Sequence, residues 1–213
     1  MITAYVFGQI IKPVIGVTRD LRILWALEET GLPYRLQALN FVRGDLRAPD
    51  YVRVSPFACV PAIDDDGFTL FESAAIVLYL AGKSGTLLSA DARSRTLATQ
   101  WAFAAVNTVE PAMIQLFAID KFSPNPSAEA RRPSVIETVQ KRLNSLDTEL
   151  TARPFLMGNE FSAPDILMAT VLRIVQHTEL LDAVPNVAAY KARCEDRPAW
   201  RKVFSAYEER LAA

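Results

Sequence analysis

The sequence predicts an α/β domain followed by an all-α helical domain. Three observations predict it. Of eight glycines, seven lie at or before Gly85, and only Gly158 lies beyond; glycine marks turns and positive φ angles, so the first third is turn-rich. Within residues 2–82, β-prone and helix-patterned runs alternate in the order β-α-β-(α)-β-β-α. In the second half, Val135, Val139, Leu143, Leu146 and Leu150 recur at helical spacing with no strand-like alternation. The boundaries that follow are 1–83 for the first domain, 84–90 for a linker and 91–213 for the helical domain.

Each element has a local reason. Ile2-Thr3-Ala4-Tyr5-Val6-Phe7 is β-prone and stops at Gly8. An apolar loop with Pro13 and Gly16 follows. Thr18–Thr30 reads as a helix: Leu21, Leu24, Trp25 and Glu28 share one face, Thr18 is placed to cap its start, and Gly31 to end it. Residues 34–40 form the next strand, which makes a right-handed parallel βαβ unit the expected arrangement. Val60-Pro61-Ala62-Ile63 and Phe68-Thr69-Leu70 flank Asp66-Gly67, a strong hairpin signal. Glu72–Gly82 is an apolar helix. In the second half, residues 166–175 are apolar on nearly every side, as a central buried helix must be. Ser162-Ala163-Pro164-Asp165 supplies its entry as a capping box with Asp in place of Glu.

Composition narrows the chemistry. The 213 residues are 51% hydrophobic and 22% charged, with 23 Lys+Arg against 24 Asp+Glu. A net charge of −1 lacks the basic excess of a non-specific nucleic-acid binder. No apolar run reaches the roughly 20 residues of a membrane span, and Met1–Tyr5 lack a signal-peptide pattern, so a cytoplasmic protein is expected. Cys59 and Cys194 are far apart and His177 is the one histidine, which argues against a metal site and against triad catalysis not built on that residue.

Three constellations each offer ligand chemistry beside an ordinary structural role. Val60-Pro61 opens a strand with a residue that cannot donate to a ladder. A cis bond there turns Val60's backbone outward to accept an extended ligand as an added strand would; a trans proline opening an edge strand is the alternative. Glu72-Ser73 begins a helix, where free N–H groups suit a carboxylate and Glu72 suits an ammonium group, together an α-amino acid head; ordinary capping is the alternative. Thr18-Arg19 places a hydroxyl and a guanidinium at a helix start, where they can stabilise a thiolate whose free pKa is about 8.5; a plain N-cap threonine is the alternative.

In that order and spacing, the sequence resembles the cytosolic glutathione transferases over essentially the whole chain. The resemblance is carried by residues 18–34, by Ser55-Pro56-Phe57-Ala58-Cys59-Val60-Pro61-Ala62-Ile63 and by Phe71-Glu72-Ser73-Ala74-Ala75-Ile76. Phe161-Ser162-Ala163-Pro164-Asp165-Ile166 and Arg197-Pro198-Ala199-Trp200 carry it in the second half. It implies a thioredoxin-like first domain, a homodimer, a detoxifying transferase activity, and glutathione as cosubstrate without a metal. Val60 would bond the cysteinyl backbone of glutathione with cis-Pro61 behind it, and Glu72 and Ser73 would hold the γ-glutamyl end. Thr18 aligns with the catalytic serine of the serine-type, bacterial-like classes, and Tyr5 is the rival hydroxyl. Cys59 stands where lysine or glutamine is usual, so the glycyl carboxylate loses that partner, and a mixed disulfide with glutathione becomes chemically available. Phe57 stands where some classes insert an aromatic into the partner subunit. The electrophile would sit between the domains against the helix of residues 91–119, with Asn107, Met113 and Phe117 as its wall, or as ordinary packing. A non-catalytic binding or regulatory protein of the same fold, and a glutathione-dependent isomerase or dehalogenase, are the competing implications.

Overall fold

A computed structural model describes residues 1–122 and 125–210. Its regular elements are β1 (Ile2–Phe7), α1 (Asp20–Thr30), β2 (Tyr34–Leu39), α2 (Pro49–Val54), β3 (Ala62–Asp65), β4 (Phe68–Phe71) and α3 (Ser73–Ser84), then α4 (Ala92–Phe103), α5 (Glu110–Phe122), α6 (Pro126–Glu149), α7 (Ala163–Leu172), α8 (Pro185–Glu195) and α9 (Pro198–Glu208). The chain divides into two compact units. One is Met1–Ser89 together with the chain from Arg197, and the other is Ala90–Asp196. The last helix, expected with the helical domain, therefore packs in the first unit.

The first unit is a thioredoxin-like sheet in the order β2-β1-β3-β4. β1 pairs parallel with β2 and antiparallel with β3, and β3 pairs antiparallel with β4. The β3–β4 turn is the expected Asp66-Gly67, with φ of 53° and 93°. Both angles are positive, as the type I′ hairpin requires. Asp64 Oδ1 accepts the Gly67 N–H at 2.7 Å. Along β1 the pleat separates two faces. Tyr5 and Phe7 pack with Leu39, Leu46, Tyr51 and Val60 on the side of α2, while Ile2, Ala4 and Val6 are fully buried on the other.

α1 is more deeply buried than a one-sided amphipathic pattern implies, with every residue from Asp20 to Leu27 inside. It packs against β1, α3 and α9 at once. Trp25 meets Trp200 of α9 at a ring-centroid distance of 4.6 Å, and Arg197 makes a two-pronged ion pair with Glu29 at 2.6 and 2.7 Å. Gly31 ends α1 at φ 65°, its N–H bonded to Leu27 O at 3.0 Å.

In the second unit, α4 and α5 are joined by a π-helical segment, Ala104–Val109, into one helical stretch. Ala92–Phe122 is long and apolar enough by length and composition to cross a membrane, which the sequence reading did not expect. Half of its most apolar window is buried in the fold. All of α7 is buried. Its capping box is formed: Asp165 accepts from the Ser162 N–H (2.8 Å) and hydroxyl (2.7 Å), and also from Leu156 N–H (2.9 Å) and the Tyr190 hydroxyl (2.9 Å). Burial pushes the Asp165 carboxyl above its ordinary pKa, against those four bonds. Arg173, which interrupts the apolar pattern, is paired with Glu195 at 2.6 Å. His177 faces Asp120 at 2.9 Å through Nε2 and Ile174 O at 3.1 Å through Nδ1, and Arg132 holds the same Asp120 at 2.7 Å.

Candidate functional site

The first unit carries a groove of about 80 Å³ lined by Arg19, Ser55, Phe57, Cys59, Val60, Pro61, Phe71, Glu72 and Ser73. Its floor is the loop between α2 and β3. The Val60–Pro61 bond is cis. The β3 ladder begins at Ala62, opposite Tyr5, so the N–H and C=O of Val60 lie outside it. The loop is held from below. Cys59 O accepts from the Tyr51 hydroxyl at 2.6 Å and the Ser55 hydroxyl at 2.9 Å, and Ala58 N–H bonds Ser55 O at 2.9 Å. Burial pushes the Tyr51 phenol up to about 12, so it stays a donor. Cys59 itself is exposed, its thiol 3.2 Å from Phe57 O.

The far wall is the start of α3. Glu72 is its N-cap residue, at φ 70°, a left-handed conformation that a non-glycine residue adopts only under constraint. Ser73 is the first helical residue and is 5% exposed. Its Oγ accepts from Arg22 Nη1 at 3.0 Å, and Arg22 is 2% exposed. A buried guanidinium thus stands behind a helix N-terminus, and both favour an anion at Ser73. Glu72 adds one negative charge at the same end. The result suits a zwitterionic α-amino acid head. Five of the residues expected in this site (Cys59, Val60, Pro61, Glu72 and Ser73) are brought together in one groove.

Thr18 is not among the residues lining that groove, and the N-cap position expected of it falls to Arg19. α1 begins at Asp20, and its N-cap residue is Arg19, with no side-chain cap. Thr18 Oγ lies 2.5 Å from Asp20 Oδ1 and 2.9 Å from the Tyr207 hydroxyl. A carboxylate only accepts, so Thr18's single proton goes to Asp20, which is fully buried. Tyr5, the rival, packs its ring on Tyr51 at 5.4 Å in the cluster beneath β1. Burial first, and Asp64 second, hold its phenol above the ordinary value.

A second cavity in the same unit, about 190 Å³, is lined by Phe7, Gln9, Ile10, Ile11, Val14, Thr18 and Phe41. It is almost wholly apolar. The electrophile-wall residues named from the sequence all lie in the second unit. Asn107 is exposed in the π-helical segment. Phe117 is half-buried, edge-on to His177 at 5.5 Å. Met113 is fully buried, and a side chain without exposed surface lines no open cavity, so that assignment is corrected. Helical spacing names the face of a helix but not which face is covered.

Sequence reasoning missed the groove roles of Ser55, Phe71 and Arg22. The pattern of Ser55 three residues before Ala58, ahead of Val60-Pro61, was the available signal for a side-chain-braced turn. It also missed Phe41 and the 9–14 loop as cavity walls. The apolar character of a proline-bearing loop was the available signal there.

Residues 13–82 match the family model described as the glutathione S-transferase N-terminal domain, and residues 109–198 match that of the C-terminal domain. Glutathione S-transferase 4 of Zea mays is 30% identical over 206 residues, covering 93% of this chain and 90% of its own length. The chain belongs to the glutathione S-transferase family. Another relative, Disulfide-bond oxidoreductase YfcG of Escherichia coli, is 33% identical over 186 residues, 84% of this chain and 86% of its own. Among solved glutathione transferases, a family member from Pseudomonas fluorescens with two glutathione bound superposes at a TM-score of 0.84. It is 27% identical and covers 95% of this chain and 92% of its own.

Proposed function

We propose that the chain binds glutathione in the first groove and catalyses attack of its thiolate on small apolar electrophiles. The carrying observation is that one groove joins Val60's backbone, free of the ladder, to the Glu72-Ser73 helix start backed by buried Arg22. The γ-glutamyl carboxylate is placed at Ser73, its ammonium group towards Glu72, and the cysteinyl backbone along Val60. Thr18's proton is engaged by Asp20, so the sulfur's negative charge falls to Arg19 and the N-terminus of α1, a cationic environment of the kind that lowers thiol pKa values. The apolar acceptor fits the cavity of Ile10, Ile11, Val14 and Phe41. With an aryl halide, the sulfur–carbon bond forms, the carbon–halogen bond breaks, and halide leaves with the electron pair. The homodimer and the cytoplasmic location implied by the resemblance belong to the same proposal.

Calorimetric titration of the wild-type protein with glutathione tests this reading, followed by turnover of a generic aryl halide. Saturable binding with turnover supports it. No heat at millimolar glutathione sinks it, and binding without turnover leaves a binding protein.

A second reading is glutathione-dependent disulfide reduction, in which two glutathione thiols become one glutathione disulfide and the substrate disulfide becomes two thiols. Exposed Cys59 at the groove wall and the oxidoreductase relative favour it. Reduction of a small dialkyl disulfide, measured beside aryl-halide turnover, separates the two.

A further inference from the structure

The loop between β1 and α1 supplies most of the apolar cavity wall, through Gln9, Ile10, Ile11 and Val14. Its one regular turn is the 3₁₀ segment Lys12–Val14. What fixes it comes from the other end of the chain. The hydroxyl of Tyr207, on α9, lies 3.2 Å from Gly16 N–H, 2.9 Å from Thr18 Oγ and 3.3 Å from Val14 O. Arg210, just beyond α9, donates to Phe7 O at 3.1 Å and to Asp20 Oδ2 at 3.2 Å. The protons can be assigned. Gly16 N–H donates to the phenol oxygen, Thr18 donates to Asp20, and the phenol proton goes to Thr18 Oγ or Val14 O. One buried hydroxyl therefore touches the loop at three points, two of them adjacent to or within the cavity lining.

We propose that Tyr207 is a positioning residue for acceptor selection: its hydroxyl fixes the 9–16 loop as a rigid wall and so sets which apolar electrophiles fit. This rests on the reading of that cavity as the acceptor site. The hydroxyl is separable from the ring. The Tyr207 ring stacks with Phe204 at 6.0 Å and carries the Arg210 guanidinium at 4.9 Å. Both contacts survive Tyr207→Phe, which removes only the hold on the loop.

The test is Tyr207→Phe, assayed with a series of aryl and benzyl halides of increasing size alongside glutathione titration. Glutathione affinity should stay within about twofold of wild type. KM for a small acceptor should rise about fivefold, the scale of one lost buried hydrogen bond, with kcat changing less. The rise should shrink or reverse for the bulkiest acceptors, since a loosened wall admits them. Amide hydrogen exchange gives a reading independent of turnover: Gly16 should exchange faster in the variant. An acceptor profile unchanged within about twofold, or unchanged Gly16 exchange, overturns the proposal and makes Tyr207 a packing residue. Wild-type protein that binds no glutathione would instead overturn the transferase reading, so the two failures are distinct.

Discussion

Replacing Ser73 by alanine tests the centre of the groove. Ser73 Oγ accepts from Arg22 Nη1 at 3.0 Å, which leaves its own proton to donate to a ligand carboxylate. Alanine removes that donor. A hydrogen bond to a charged group contributes about 1.5–3 kcal/mol, so glutathione affinity should fall roughly 10- to 150-fold. The same change takes an acceptor from a guanidinium that is 2% exposed. Loss of a buried partner costs about 1–3 kcal/mol of folding stability. Titration calorimetry measures the first effect and urea denaturation the second. A Kd within twofold of wild type, with the stability loss present, would refute the placement of the γ-glutamyl carboxylate and leave Ser73 as a brace for Arg22.

Three further outcomes follow from the geometry. Arg19→Gln should raise the thiol pKa of bound glutathione, read from the pH dependence of thiolate absorbance, while leaving affinity less affected than Ser73→Ala; an unchanged thiol pKa removes Arg19 from activation. Asp165→Asn sets an amide NH₂ against two donors whichever way it turns, since one oxygen serves Leu156 and Tyr190 and the other serves Ser162 twice. About 3 kcal/mol of stability should be lost in denaturation, with some recovered only if the hydroxyls rotate away. Asp65 accepts hydrogen bonds from Lys83 first and from Tyr79, and these hold its carboxyl below the ordinary range. A lowered folded pKa means the stabilisation is complete above the unfolded value of about 3.9 and drains as pH falls below it. Lys83→Met should flatten the decline of the urea midpoint as pH falls below about 4, and an unchanged slope would exclude this pair as a source of acid sensitivity.

What could be read from the sequence was what neighbours in the chain decide. Asp66-Gly67 names its own turn because its two positive φ angles suit few residues. Gly31 ends α1 for a similar reason, and Ser162 and Asp165 satisfy each other within three residues. The groove residues were legible because each sits at a strand or helix start whose chemistry is local. Thr18 was not. Its proton is taken by Asp20, two positions on, but its oxygen is met by Tyr207 from 189 residues away. No local pattern announces that pairing. Met113 failed for a related reason: periodicity showed a helix, whereas its burial depends on which helices cover it.

The first unit is built from both ends of the chain, with residues 90–196 inserted between them. This has a consequence for the order of synthesis. Trp25 and Glu29 leave the ribosome early, but Arg197 and Trp200, which cover them, come some 170 residues later; the Glu29–Arg197 pair spans 168 positions. The inserted helical unit is contiguous and emerges whole before that. The nascent chain can thus complete its second unit while α1 still exposes a tryptophan face. The 9–16 loop acquires Tyr207 and Arg210 only after residues 90–196 have been made, so α9 and Arg210 complete the first unit.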